Sequence, residues 1–259
     1  MAVSTYLDEI MAFHRKRAAR DERLLSELIE VVPKNEPRGF MQQIKVEPGL
    51  SVIAEIKRRS PSKGLLKENL NPSLVAHEYE ASGATCISVL TDTEHFWGSE
   101  TDLKSAKEAS SLPILRKDFT VDLRDICDAR IMGADCVLLI VSALDKKLLQ
   151  DLHQLAHELG IDALVETHDE REIEIALQMG ATLIGVNQRD LKTFQVDQTR
   201  AIRVIRDIPE TVTKVAESGI RNSSDAEALS EAGYDAVLIG EALVTAESPS
   251  KIVRELKKL

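Results

Sequence analysis

The chain has 259 residues, a length that fits one large domain or two small ones and buries a core without disulfides or structural metal. Its formal net charge of -10 argues against an extended surface for nucleic acid or anionic membrane, because either would need a coherent basic face. The three cysteines, Cys86, Cys127 and Cys136, show no zinc-like spacing, so we expect small core residues in a reducing cytosol.

The first 48 residues are predicted to form a helical extension. The segment "TYLDEIMAFHRKRAARDERLLSELIEVV" has a helical pattern that Pro33 and Pro37 end, and "GFMQQIK" predicts a further turn or two. We found no signal-peptide pattern and no apolar run near the roughly 20 residues of a membrane helix. We therefore expect a soluble, cytoplasmic protein with one domain over residues 1–259, in which residues 1–48 form an extension that packs on the rest of the fold.

Eight short apolar segments follow in chain order, each succeeded by a helix-like pattern, and this alternation favours parallel strands joined by helical crossovers. Glycines that close the preceding helices punctuate the series. Eight such units match a closed (βα)8 TIM barrel in size, whereas the GxGxxG motif of a doubly wound open sheet is missing after the first strand. The segments are "SVIAEIK", "ATCISVL", "PILRK", "ADCVLLI", "IDALVE", "ATLIGVN", "TKVAES" and "DAVLIG".

Charged or polar residues end several of these predicted strands. Because side chains alternate faces along a strand, Glu55 and Lys57 should point into the barrel with Ile53. The carboxyl ends of barrel strands form the face on which barrel enzymes build their active sites. An ion-pair network that only holds the upper barrel together is the alternative explanation for these residues. The other strand-end residues are Lys117, Glu166, Asn187 and Glu217.

A second group of residues predicts a phosphate site. Ser218 and Gly219 follow the seventh strand, and Gly240 and Glu241 follow the eighth. Barrel enzymes commonly bind phosphate with the loops after these two strands, and glycine lets backbone N–H groups approach the anion.

These motifs together resemble the indole-3-glycerol phosphate synthase family, and the resemblance covers nearly the whole chain, including the helical extension. Two positions depart from the family pattern: Gln188 stands where a second asparagine is usual, and Trp97 stands in "FWGS" where paired phenylalanines are common. The motifs are "VIAEIKRRSPSKG", "ILRKDF", "LVETH", "GVNQRDL", "VAESGI" and "LIGEAL".

The resemblance implies conversion of 1-(o-carboxyphenylamino)-1-deoxyribulose 5-phosphate to indole-3-glycerol phosphate, carbon dioxide and water, with no cofactor or metal. It also implies roles for the strand-end residues. Lys117 is the general acid on the carbonyl oxygen and Glu166 is the base of the later dehydration. Lys57 acts on oxygen and touches phosphate, and Glu55 orients it. The supporting residues are Asn187, Glu217 and Ser218.

Substrate-binding residues are implied in the same way. Arg189 is the expected partner of the substrate carboxylate, because its planar fork binds an acid with two hydrogen bonds. The long loop after the first strand is expected to act as a lid that brings Ser60 and Pro61 to the ligand. The aromatic ring is assigned to Phe96, Phe119, Leu138 and Leu238, and the phosphate to Lys57, Gly219, Gly240 and Glu241.

Two other functions are weighed against this one. Phosphoribosylanthranilate isomerase, another phosphosugar barrel enzyme, would be expected to carry a cysteine base after the first strand, where this chain has Lys57. A catalytically silent barrel scaffold would be expected to have lost the charges at the barrel mouth. His153 and His157, spaced i, i+4, are interpreted as surface residues without a third metal ligand. The predicted partner is a small-molecule substrate, with no nucleic acid or membrane, and we expect a monomer.

Overall fold

A computed structural model describes residues 5–258, in which eight parallel strands close into a barrel and confirm the predicted (βα)8 fold. A two-stranded antiparallel hairpin, β2 with β3, lies outside the barrel. All eight predicted strands are present. The strands are β1 Ser51–Ile56, β2 Arg59–Ser60, β3 Gly64–Leu65, β4 Cys86–Leu90, β5 Ile114–Lys117, β6 Cys136–Ile140, β7 Asp162–Thr167, β8 Leu183–Asn187, β9 Thr213–Glu217 and β10 Ala236–Ile239.

Helices surround the barrel and cover both of its ends. No helix in residues 5–258 combines the length and the apolarity that crossing a membrane requires. The helices are α1 Tyr6–Ala18, α2 Leu25–Val31, α3 Phe40–Val46, α4 Pro72–Ala81, α5 Thr93–Phe96, α6 Glu100–Ala109, α7 Leu123–Met132, α8 Lys146–Glu158, α9 Glu170–Gln178, α10 Arg200–Val204, α11 Ser223–Ala232, α12 Glu241–Val244 and α13 Pro249–Leu256, with 3-10 turns at Val141–Ala143 and Ile205–Asp207.

Strand β1 shows how the sequence sets the two faces of the barrel wall. Val52, Ala54 and Ile56 pack in the shell between the barrel and its helices, whereas Ile53 packs in the barrel interior. This alternation follows from the two-residue period of a strand and confirms the predicted inward set. The three cysteines are buried, as predicted for core residues.

The N-terminal extension contacts the barrel at both ends. Helix α1 lies over the carboxyl ends of the strands, and α3 lies at the opposite end, where Phe40 is fully buried against interior residues such as Ile53. The sequence predicted one helical segment before Pro33, but the chain leaves the helix at residues 19–24, so α1 and α2 are separate. The break lets α2 pack on α7 while α1 reaches the mouth. The single domain over residues 1–259 stays a prediction.

The loop after β1 is folded into the β2/β3 hairpin beside the barrel mouth. Arg58 at its base pairs with the Asp102 carboxylate, and the Arg59 guanidinium carbon lies 5.4 Å from the centre of the Trp97 ring. Both contacts attach the hairpin to the α5 and α6 region.

Candidate active site

A cavity of about 920 Å³ opens at the carboxyl ends of the barrel strands. Its size is typical of a pocket for a small molecule. Every residue that the sequence proposed for catalysis or binding lines this one cavity. They are Glu55, Lys57, Ser60, Pro61, Phe96, Lys117, Phe119, Leu138, Glu166, Asn187, Arg189, Glu217, Ser218, Gly219, Leu238, Gly240 and Glu241.

Lys117 lies between two carboxylates at the floor of the cavity. Its Nζ is 3.3 Å from Glu166 Oε2 and 3.5 Å from Glu217 Oε2. Burial by itself would lower the pKa of Lys117, but the charges of Glu166, Glu217 and Glu55 outweigh it and raise the pKa. The side chain therefore stays protonated as an ammonium group in the free protein.

The pKa values of the two carboxylates beside Lys117 are shifted in opposite directions. Burial favours the neutral form of Glu166, yet Lys117, His168 and Asn187 together hold its pKa below the usual range. Burial, followed by repulsion from Glu166, raises the pKa of Glu217 to about 8. At neutral pH the site thus pairs an ionised carboxylate with a protonated one, and separated pKa values of this kind are typical of acid and base pairs in active sites.

Two glycines make room for carboxylates inside the barrel. A Cβ at Gly240 would collide with Glu55 Oε1 and lie 3.0 Å from Lys57 Nζ, while Glu55 and Lys57 form a close ion pair. A Cβ at Gly185 would collide with Glu217 Oε1. Glycine within or at the end of a strand often marks such a close approach, and here it accommodates the charged side chains that face inward.

The turn after β9 has an uncommon backbone conformation. Ser218 and Gly219 have φ angles of 65° and 75°, and only glycine adopts this region readily. The Gln188 side chain donates to the Ser218 carbonyl at 2.8 Å, and the Gln198 side chain donates to the Gly219 carbonyl at 2.6 Å. Two amide side chains therefore stabilise the turn from one side.

Arg189 lies at the cavity rim among groups from three loops. Its guanidinium is 3.4 Å from Glu241 Oε2 and donates to the Phe194 carbonyl at 3.2 Å and to Ser62 Oγ at 3.4 Å. Lys63 Nζ lies 3.7 Å from the other Glu241 oxygen. The Glu241 carboxylate therefore faces these two cations.

One wall of the cavity is apolar. The rings of Phe96 and Phe119 lie 6.3 Å apart and are tilted by 40°, and Leu138 and Leu238 are buried residues that line the same cavity. Trp97 follows Phe96 but is not among the residues that line the cavity, and its side chain is 45 % exposed. A flat apolar slot beside a group of charges suits an aromatic ring that carries polar substituents.

A family model described as indole-3-glycerol phosphate synthase matches residues 7–256. The chain belongs to the indole-3-glycerol phosphate synthase family. The synthase of Mycolicibacterium smegmatis is 45% identical over 261 residues, with 99% of this chain and 95% of the relative covered. The synthase of Chlorobium chlorochromatii is 45% identical over 250 residues, covering 92% and 95%. Synthase 2 of Streptomyces coelicolor is 46% identical over 242 residues, covering 93% of each.

A solved structure outside the synthase family has the same fold. Thiamine phosphate pyrophosphorylase from Pyrococcus furiosus superposes with a TM-score of 0.61, covering 81% of this chain and 94% of that protein. Its sequence is only 18% identical, so this likeness concerns the barrel fold alone.

Sequence reasoning missed the part of this synthase-family cavity that α1 supplies. Tyr6, Leu7 and Ile10 line the mouth. The helix is attached by buried His14, whose Nε2 lies 2.7 Å from Asp92 Oδ2. An apolar helical stripe indicates that a helix packs on something, but it does not say which end of the barrel receives it.

Asp92 also receives a second imidazole, because His95 Nδ1 lies 2.9 Å from the same oxygen. Among residues 5–258, His14, Asp92 and His95 form the one group that could hold a metal ion, and hydrogen bonds account for their closeness. His153 and His157 are not part of it. The prediction that this member of the synthase family uses no metal stays a prediction.

Proposed function

We propose that this cavity catalyses the decarboxylating ring closure of 1-(o-carboxyphenylamino)-1-deoxyribulose 5-phosphate to indole-3-glycerol phosphate, a step of tryptophan biosynthesis. Membership of the family and the charged cluster at the cavity floor support the proposal. The observation that carries it is Lys117 held between Glu166 and Glu217, because an ammonium group placed between an ionised and a protonated carboxylate supplies acid and base chemistry together.

The first step forms the new carbon–carbon bond. The ring carbon that bears the carboxylate attacks the ketone carbon, and negative charge develops on the ketone oxygen. Lys117 donates a proton to this oxygen, and the charge of Lys57 also stabilises it. Glu55 keeps Lys57 in place through their ion pair, and the missing side chain of Gly240 permits that arrangement.

The second step releases carbon dioxide. Before it leaves, the substrate carboxylate binds Arg189 at the rim. Because Glu241 faces the same guanidinium in the free protein, the substrate must share or displace this carboxylate. Lys63 lies on the other side of Glu241 and can retain it when Arg189 turns to the substrate.

The third step removes the hydroxyl group as water. Glu166 takes the ring proton, since its low pKa keeps it ionised as a base. Glu217 begins protonated and passes its proton to Lys117, which donates it to the hydroxyl so that this group leaves as water. Asn187, whose Oδ1 accepts from the Arg189 backbone N–H, helps to keep the pKa of Glu166 low, and Ser218 lines the same cavity.

Binding contacts position the substrate for these steps. The phosphate lies against the backbone of Gly219, Gly240 and Glu241, with Lys57 as its cation. The aromatic ring occupies the slot between Phe96, Phe119, Leu138 and Leu238, and Ser60 and Pro61 close over it from the hairpin.

A fluorescence progress curve tests the proposal. Incubation with the carboxyphenylamino deoxyribulose phosphate should produce indole emission that grows with time and scales with protein concentration. An isomerase of phosphoribosylanthranilate would instead turn over its own aminoaldose substrate, and a silent scaffold would turn over neither. If the unsubstituted, folded protein gave no indole emission, the proposed activity would be refuted.

The proposal extends to the setting in which the enzyme works. We infer a cytoplasmic monomer that binds a small molecule. Nucleic acid is not expected as a partner, since the formal charge is -10. Light scattering coupled to size-exclusion chromatography should give one chain of 28.7 kDa per particle. A larger mass that persists on dilution would contradict the monomer.

A further inference from the structure

His168 lies two residues after Glu166, at the end of β7, and faces it. His168 Nε2 is 3.6 Å from Glu166 Oε1. Both atoms are buried, and neither has a hydrogen-bond partner among the described residues. Two unsatisfied buried polar atoms that face each other need an explanation, because each costs free energy if it stays unpaired.

The other edge of the imidazole is fixed in place. His168 Nδ1 lies 3.0 Å from Glu172 Oε2, and the His168 backbone N–H donates to the same oxygen at 2.8 Å. Glu172 lies in the first turn of α9, a helix that Asp169 caps. Nδ1 therefore carries a proton toward Glu172, and the ring orientation directs Nε2 at Glu166.

We propose that His168 is a positioning residue that keeps Glu166 ionised during the reaction. The inference deepens the proposed function, since it rests on Glu166 as the base. In the protonated ring, Nε2–H points at Glu166 Oε1 while Lys117 holds Oε2. When Lys117 gives its proton to the substrate, its charge is lost and Glu166 loses its main cation. The imidazolium then supplies the remaining positive charge beside the carboxylate.

The charges around His168 agree with this role. Burial alone would lower the pKa of His168, but Glu172 and Glu166 raise it, while Arg200 opposes them weakly. Without His168, the pKa of Glu166 should rise, because burial and Glu217 remain and one of its cations is gone. The fall of kcat at low pH, which is the acid limb of the plot of kcat against pH, should then move to higher pH.

The test replaces the ring and leaves the barrel unchanged. His168→Asn retains a side-chain donor near Glu172 but lacks the charge. We expect the acid limb of kcat to move up by about one pH unit, which corresponds to about a tenfold loss well below the limb and little loss above it. Glu172→Gln should shift the limb in the same direction by less. The control is His157→Asn, an exposed histidine of α8, which should leave the profile unchanged.

A second measurement does not depend on turnover. In ¹⁵N-histidine NMR titrations, Glu166→Gln should lower the pKa of the His168 ring relative to the unsubstituted protein. An unchanged ring titration, or a loss of kcat that is uniform across pH in His168→Asn, would overturn the proposal. If the unsubstituted protein produced no indole, the proposed function would fail, while the titration would still decide whether His168 and Glu166 interact.

Discussion

Lys117 and Glu166 meet inside the barrel although their strands are not neighbours. Strand β6 lies between β5 and β7, yet Lys117 Nζ is 3.3 Å from Glu166 Oε2. The contact forms because both side chains point inward and the barrel is narrow enough for a long lysine to reach across. An ammonium group and a carboxylate are thereby held side by side in the cavity, where the proposed reaction would use them as proton donor and base.

Replacement of Lys117 by methionine should separate catalysis from stability. Lys117→Met keeps most of the side-chain length and removes the donor, so kcat should fall by about 10²–10⁴-fold while the fold persists. Glu166 and Glu217 would then share one proton. Product affinity should change far less, because other groups hold the phosphate. The measurements are kcat, product Kd and the urea midpoint on one preparation; a lowered midpoint with near-normal kcat would show that Lys117 serves only the ion-pair network.

Alanine at Gly240 should disturb catalysis by a route that does not strain the backbone. Gly240 has a φ of -123°, which any residue adopts, but its Cβ would collide with Glu55 and crowd Lys57. We expect Gly240→Ala to raise KM and lower kcat by about tenfold each, since the Glu55–Lys57 pair must move. Gly180→Ala is the control, because nothing lies near its Cβ, although its left-handed backbone lowers stability. Steady-state kinetics and a melting curve for both variants show whether the loss is one of catalysis or of stability.

Alanine at Gly219 should behave differently from alanine at Gly240. Its Cβ would lie 2.7 Å from Val196 Cγ1, and its φ of 75° disfavours any side chain. We expect Gly219→Ala to raise KM and also to lower the melting temperature, since the turn is strained as well as filled. A large loss of kcat with unchanged KM would place the phosphate elsewhere.

The β2/β3 hairpin should close over bound ligand. Lys63 at its tip is exposed, whereas Arg58 at its base is paired with Asp102. Trypsin should therefore cut first after Lys63, and saturating product should slow this cut several-fold because the tip becomes ordered. Cleavage after exposed Lys146 or Lys147 on α8 serves as the internal reference. Equal rates at Lys63 with and without product would contradict a lid.

The attachment of α1 should be sensitive to acid. Burial favours neutral Asp92, but hydrogen bonds from His14 and His95 outweigh it and hold the pKa of Asp92 well below its usual range. A lowered carboxyl pKa contributes stability that is present above the unfolded value, about 3.9, and is lost as pH falls through the folded value. Asp92→Asn should cost about 2 kcal/mol at neutral pH, and this difference should shrink in acid.

Melting curves at several pH values check the Asp92 prediction. Asp145 is a suitable control, because it also caps a helix but has no histidine partner in the described structure. Asp145→Asn should show a small loss that hardly changes between neutral and acidic pH. A pH-independent loss for Asp92→Asn would mean that it acts as a helix cap alone.

The local pattern of apolar and polar residues in the sequence determined the barrel and the inward direction of its charged side chains. The two-residue period places Glu55 and Lys57 on the interior face with Ile53, and this follows from strand geometry without knowledge of any partner. The alternation of strands and helices then leaves few ways to bury the apolar faces, so the fold was predictable, as was the end of the barrel that carries the candidate site.

Only the tertiary structure decided what these residues contact. The pairing of Arg189 with Glu241, and the opposite pKa shifts of Glu166 and Glu217, depend on charges that lie far apart in sequence. The position of α1 over the mouth likewise depends on His14 meeting Asp92, 78 residues away. Sequence periodicity describes only residues that are close together along the chain. Burial and Coulomb interactions depend on distances in space, and these are fixed only after the barrel closes.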